Sequence, residues 1–478
     1  MPFSCSSAHA KERTRPLIPV GIAIALVVPV TLFRFADFEV NLALVLAPLA
    51  GLSLTRAPAM LRNLFLACVM AGLASILSAT LILGDQFTPR YLFSLVLVLA
   101  SPLYFFLGSY LCDRHYQFDR LLVVLAVVSA VFVATVALGV IASGSQVRWY
   151  AGPLGHVILN LTFAGLPLYG SFGALSLASL FVVQMFVIGA AFASPRPRWM
   201  QFVLVTGFGA AAFLVIGSNV RSVHLVGPYL VVMLGLAVVV CSPPIKVRAG
   251  ILLAVGILAA GYSVSRMVGG LRVVSTGREL SSLLSEGAAR TSDTKRLPES
   301  TQPSNGSVDL EKLSTGRMSL IEDAVQEIAL SPLFGTGFAS YNRVDPKVGE
   351  RSKQSGNRTT HIHYLTILWK GGVLFFVPYM ALMGAFWISA VRGSLPRVPE
   401  GVGFLLAGLL FIFGALSLTW DILLVPSAGA YTFFLLGAVA HSARRVGLND
   451  HQVMNPVITC PGLSSSRSSE RAQGRCDE

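Results

Sequence analysis

Residues 121–143 read LLVVLAVVSAVFVATVALGVIAS, with no charged side chain between Arg120 and Arg148. At 1.5 Å per residue a helix of that length crosses the roughly 30 Å of hydrocarbon in a bilayer. The block shows no alternation of apolar and polar residues. A helix that satisfies its own backbone groups is therefore expected, and a barrel strand is not.

Blocks of the same kind lie on both sides of it, near 17–33, 40–54, 64–83, 91–112, 170–193, 201–217, 223–241, 249–264, 372–391, 403–420 and 423–441. Across all 478 residues the chain is 54% hydrophobic and 12% charged, with mean hydropathy +0.70. A soluble chain carries about 25% charged residues. The fold class expected is an all-α polytopic membrane protein with about 12 transmembrane helices. The apolar run from Leu17 follows Lys11, Arg13 and Arg15, and no small-residue cleavage site follows before Arg34. It reads as a retained first span.

The cations set an orientation. With the N-terminus inside, each inside connection holds at least two Lys or Arg, among them Arg56/Arg62, Arg114/Arg120, Arg196/Arg198, Lys246/Arg248 and Arg392/Arg397. Each short outside connection holds one: Arg34, Arg90, Arg148 or Arg221. Cytoplasmic loops carry this excess. The net charge of +13 therefore reports topology, and no run of five like charges marks a nucleic-acid arm. The six cysteines have no metal spacing.

The organisation expected is a cytoplasmic tail at 1–16, spans one to nine within 17–264, and a large extracytoplasmic loop at 265–360. Spans ten to twelve follow within 361–442, and a disordered cytoplasmic tail at 443–478. Residues 151–193 are apolar for too long for one span, so 154–169 is read as a re-entrant or interfacial segment. Within the loop, 275–315 is rich in Ser, Thr, Gly and charge, and is expected to be mobile. From Arg317 to Leu330 the apolar positions 320, 321, 324, 325, 328 and 329 form one helical face, opposite Glu322, Asp323, Gln326 and Glu327. Ser331-Pro332 ends it. Such a helix between spans is expected to lie on the outer membrane surface.

Three stretches carry chemistry: Gly217-Ser-Asn-Val-Arg221-Ser; Thr315-Gly-Arg317 with the amphipathic helix and Pro332-Leu-Phe-Gly335-Thr-Gly337; and His361-Ile-His363-Tyr364-Leu365-Thr-Ile-Leu368 with Gly371-Gly372. Arginine presents a fixed fork of donors that matches phosphate oxygens. Histidine is the usual proton acceptor near neutral pH. Together at an outer membrane surface they suit a phosphate-bearing lipid and a group transfer at its head. The chain has no P-loop, no Asp-x-Asp pair and no Gly-x-Ser-x-Gly elbow. No cofactor, metal or nucleic acid is expected.

Plainer readings exist for each residue. Arg221 also fits a cation snorkelling at a span end. Arg317 also fits a solvated first turn, although a cation there opposes the helix dipole. Gly335 and Gly337 read as a turn rather than a phosphate cradle. His363 would point about 200° from His361 if both were helical. Lys370 reads as a headgroup anchor, and Trp420 and Asp421 as interfacial anchors.

The order of these features resembles the O-antigen ligase and polymerase superfamily. They run from many spans and a span-end Arg to a long external loop that closes in Gly-Arg, helix, Pro-x-x-Gly-x-Gly and His-x-x-Tyr-Leu-x-x-Leu-x-x-x-Gly. The resemblance is most specific over 315–372. It implies a class C glycosyltransferase-like fold in the bacterial inner membrane, with both termini cytoplasmic and the active site facing the periplasm. It further implies transfer of a glycan from an undecaprenyl-diphosphate-linked donor to a hydroxyl of a glycan or lipid A-core acceptor. Its functional residues fall on Arg221, Arg317 and His361, with His363 and Tyr364 expected to bind substrate. The family has Asn after the histidine where this chain has Ile362, which leaves open whether His363 shares the role. Two other classes fit the sequence less well. A lipid or polysaccharide transporter would need paired inward-facing charges or internal symmetry, and the sequence shows neither. A non-catalytic scaffold would not cluster Arg and His in this way.

Overall fold

Each apolar block of the sequence becomes a helix, as it must where no water is available to satisfy the backbone. The computed structural model describes residues 17–29, 31–35, 38–81, 89–114, 117–142, 162–163, 166–167, 173–217, 225–261, 317–338, 360–394 and 400–442. The helices are α1 (Leu17–Val27), α2 (Leu42–Leu54), α3 (Ala59–Leu81), α4 (Pro89–Arg114), α5 (Phe118–Ala142), α6 (Gly173–Ala193) and α7 (Arg198–Gly217). They continue as α8 (Val226–Val240), α9 (Pro243–Gly261), α10 (Arg317–Leu330), α11 (His363–Ser394), α12 (Glu400–Phe411) and α13 (Pro426–Ala440). The α12 helix runs on through a π turn at Ile412–Leu416 to Thr419.

Seven helices are long and apolar enough to cross a membrane: α3, α4, α5, α7, α9, α11 and α12 with its extension. Among the described residues, α1, α2, α8 and α13 are shorter apolar helices and α6 is apolar over Leu177–Ala193, all in the remaining expected spans. The protein is therefore a mostly helical, multi-pass membrane protein. On α8 the side chains of Val231, Val232, Leu236, Val239 and Val240 face outward. A belt of that kind belongs against lipid rather than water.

The centre is α13, in which every residue is buried. It packs along α4 and also meets α11, α6, α2 and α1. Close approach to α4 rests on two glycines: a Cβ on Gly437 would strike the carbonyl of Phe105, and one on Gly108 the carbonyl of Phe434. Small residues at helix contacts are the usual means of packing where apolar burial gives little advantage. Phe105 of α4 stacks on Phe386 of α11 with centroids 3.8 Å apart. Buried Gln184 of α6 donates to the carbonyl of Val27 at 2.8 Å, capping the end of α1.

Connections that the charge count puts on one side of the membrane meet in space. Arg196 pairs with Asp119, Arg56 donates to Tyr110 at 2.6 Å, and Arg248 donates to the carbonyl of Ala193.

Some of the expectations change. The fold is not wholly helical: Thr31–Phe35 (β1) and Phe38–Asn41 (β2) form an antiparallel hairpin, so the first span ends before 33. Asn41 then caps α2, accepting from the N–H of Leu44 at 2.9 Å. Most of 154–169 lies outside the described residues, and Thr162–Phe163 (β3) pairs with Leu166–Pro167 (β4). Lys370, Trp420 and Asp421, read as surface anchors, are each only 5% exposed. The two tails, residues 265–316 and 339–359 of the external loop, and Arg221 lie outside the described residues.

Candidate active site

The amphipathic helix forms over Arg317–Leu330 as its spacing requires. It lies against α11: the indole N–H of Trp369 donates to Glu327 at 2.9 Å, and Ala324 is fully buried. The polar face read from the sequence thus supplies one of the contacts.

Beyond Leu330 the chain turns through Pro332–Phe338. Gly335, Gly337 and Phe338 take positive φ of 65°, 72° and 65°, a region that costs any residue but glycine about 1–2 kcal/mol. The strain at Phe338 is offset by its buried ring, which packs edge-on against Phe375 at 5.0 Å.

This turn fills a break in α11. Gly372 has φ 62° and ψ −174°, so α11 is two helices, a short one from His363 and a long one to Ser394. An unbroken helix would bond the N–H of Val373 to the carbonyl of Trp369, and that of Leu374 to Lys370. Both bonds are missing, and each freed group has a partner on the turn. Val373 N–H donates to Pro332 O at 2.9 Å and Leu374 N–H to Leu333 O at 3.0 Å. Thr336 N–H donates to Trp369 O and Phe338 N–H to Lys370 O, both at 3.0 Å. The hydroxyl of Ser75 on α3 bonds the carbonyl of Phe334 and reaches that of Lys370 at 3.3 Å. The Pro-x-x-Gly-x-Gly motif is a backbone splint for a broken helix, in keeping with the turn read for its glycines.

The short helix carries the site. Its entry is tied by Thr360 and Thr366, whose hydroxyls lie 2.9 Å apart, while Thr360 N–H donates to Thr366 Oγ1 at 3.1 Å. Between them His361 takes φ 57° and is half-buried. A left-handed histidine held by flanking hydrogen bonds is the kind of strain that accompanies function. It also means that the two histidines do not share a helix, so the 200° estimate does not apply.

His363 is the first helical residue and is fully buried. Its Nε2 lies 3.1 Å from the hydroxyl of Tyr379, and Nδ1 has no hydrogen-bond partner among the described residues. In a straight helix, residues 16 apart lie about 24 Å from one another, so this contact exists only because α11 folds back at Gly372. Tyr364 donates to the carbonyl of Phe413 in the π turn of α12. Lys370, also on the short helix, is buried and interacts electrostatically with Asp421 from the segment after α12.

The structure thus brings His361, His363 and Tyr364 onto one splinted segment. It places Arg317 at the head of the helix that leads into the splint. Missing from the sequence reading were Tyr379, the Lys370–Asp421 interaction and the Phe413 carbonyl. The Gly371-Gly372 pair was the one local signal of a break.

Residues 206–380 match the family model described as O-Antigen ligase. The matched stretch holds Arg221, Arg317, the splint, the short helix and Tyr379. It bears out the resemblance read from the motifs. No curated protein matches the chain.

Proposed function

We propose that this protein is a bacterial inner-membrane glycosyltransferase of cell-surface polysaccharide assembly. It moves a glycan from an undecaprenyl-diphosphate donor to an acceptor hydroxyl. The observation that carries the reading is His361, strained and half-buried at the mouth of a splinted helix, inside the stretch that matches the O-antigen ligase family.

In the reaction, the bond from the anomeric carbon to the diphosphate oxygen breaks and a bond from that carbon to the acceptor oxygen forms. His361 takes the acceptor proton, or orients its hydroxyl. Arg221 and Arg317 neutralise the leaving diphosphate, as charges fixed beforehand do best in a site with little water. His363 and Tyr364 shape the acceptor side. The donor supplies the energy, so neither nucleotide nor metal is required. The extracytoplasmic loop faces the periplasm and both termini face the cytoplasm. A ligase would take lipid A-core as acceptor and a polymerase a second lipid-linked glycan; the same Arg and His set serves either.

The test uses purified protein and a lipid-linked glycan in excess EDTA without ATP. Transfer is expected from the native chain and not from His361→Ala. Activity that returns only with magnesium, or a His361→Ala protein as fast as the native one, rejects the mechanism. A periplasmic reporter fused near Ser304 should be active, and one fused at Arg196 silent. A transporter reading draws on the buried Lys370–Asp421 interaction; it predicts lipid movement across vesicles without any glycosidic product.

A further inference from the structure

A cavity of about 1150 Å³ opens at the other end of α11, among the α2–α3 turn, the C-terminal part of α4, and the ends of α11 and α13. Its volume exceeds the ~300–1,000 Å³ of most small-molecule pockets. From Tyr379, beside His363, to Arg392 a helix rises about 20 Å, and the charge pattern puts Arg56 and Arg392 on the inner side and His361 on the outer. The cavity therefore lies on the membrane face opposite His361.

Its lining is divided. At one end stand Arg56, Arg392, Tyr110, Asp113 and His441. Arg56 is fixed by Tyr110, donating to its hydroxyl at 2.6 Å with the guanidinium 5.0 Å from the ring centroid. Asp113 lies 3.5 Å from His441 Nδ1, and its single carboxylate offsets at most one of the two guanidinium charges. Arg392 makes no ion pair among the described residues. The polar end is left with two guanidinium groups and an unmatched positive charge. The other end is apolar, with Leu64, Phe106 and Gly384, and its rim residues Met60 and Ile388 are 61% and 52% exposed towards the lipid side. Between the ends lie Ser109 and Ser389, the latter with its hydroxyl donating to the carbonyl of Ala385 at 2.8 Å.

We infer that this cavity is a binding site for an anionic glycerophospholipid of the leaflet opposite the candidate active site. The two arginines hold the phosphate, for which a guanidinium fork is matched. The Ser109 hydroxyl stands at the depth of the ester carbonyls, and the apolar end with its open rim admits the acyl chains. An isoprenyl phosphate has no oxygen below its phosphate to meet that hydroxyl. The inference rests on the chain spanning a bilayer and is independent of the transfer reaction.

The experiment uses the full-length protein in phosphatidylcholine nanodiscs with a trace of diazirine-tailed phosphatidylglycerol, and maps the photo-adducts. Adducts are expected on 60–64, 105–106 and 384–388. The pair Arg56→Gln with Arg392→Gln should lower labelling by roughly 25-fold, the scale of two basic side chains' attraction to an anionic lipid. The pair Arg56→Lys with Arg392→Lys should retain most of it. Should the double Gln protein not accumulate, Arg392→Gln alone should give about a fivefold loss. Equal labelling by a diazirine phosphatidylcholine, unchanged labelling of the Gln variants, or stronger competition by undecaprenyl phosphate than by phosphatidylglycerol overturns the assignment. Because none of these readouts involves glycan transfer, its failure is separable from failure of the proposed reaction.

Discussion

The two parts of α11 are both buried, and by opposite means. Before Gly372 the buried side chains include His363, Thr366 and Lys370, and the backbone is bonded to another segment of the chain. After Gly372 the buried side chains are chiefly Phe375, Tyr379, Leu382, Phe386 and Ala390, packed against α3, α4 and α13. The long part is held by shape and area, which accommodate small changes. The short part is held by directional bonds, each with a partner that nothing else can replace. A group that must sit within a fraction of an ångström of a reacting atom is better placed on the second kind of support.

The contrast can be broken most directly at His361. Replacement by alanine should reduce transfer by about 10²–10⁴-fold, the range that a positioned acid–base group contributes, at normal membrane abundance. Retained transfer would detach the short helix from the chemistry altogether.

Glycines on the two parts give the sharpest structural comparison. A Cβ on Gly372 would meet the backbone of Leu333 and Gly335, and its φ is positive. Gly372→Ala should destabilise the protein by about 3 kcal/mol or more, from left-handed strain together with displaced hydrogen bonds. Nothing lies within 4 Å of a Cβ on Gly384, so Gly384→Ala should be neutral or stabilising by up to about 1 kcal/mol. Thermal unfolding in detergent measures both, and equal midpoints would end the distinction.

Tyr379→Phe removes the hydroxyl beside His363 Nε2 and should cost about 1–3 kcal/mol, because a buried ring nitrogen loses its partner. If its unfolding midpoint matches the native one, the contact that joins the two parts is incidental. The smallest effect belongs to Trp369→Phe, which releases Glu327; about 1 kcal/mol is expected. Proteolysis at α10 should then quicken before global unfolding does, and an unchanged cleavage rate would show that α10 is held by other contacts.

Much of the fold was legible because its signals are local. Charge-free blocks announce helices wherever they fall, and Arg317–Leu330 shows its period within its own length. The hairpin at 31–41 was hidden because Thr31-Leu-Phe continues an apolar run, and its pairing depends on register with Phe38–Asn41. At the site the motif spacing located His361 and the splint glycines. What the glycines do required knowing that Pro332–Phe338 returns to Gly372. The interaction of Lys370 with Asp421, and that of Tyr364 with Phe413, likewise join segments that are far apart in the chain, and no periodicity encodes them. Lys370 and Asp421 each read as a membrane-surface residue when taken alone.

A transmembrane helix ordinarily completes its own hydrogen bonds as it enters lipid. Here two amides and two carbonyls beside Gly372 find partners on Pro332–Phe338, which leaves the ribosome earlier. Maturation of this protein is thereby ordered in time: the turn made first has to meet the helix that follows it before that helix is complete. Slow amide exchange at Val373 and Leu374 would then mark a finished molecule, and fast exchange one still being assembled.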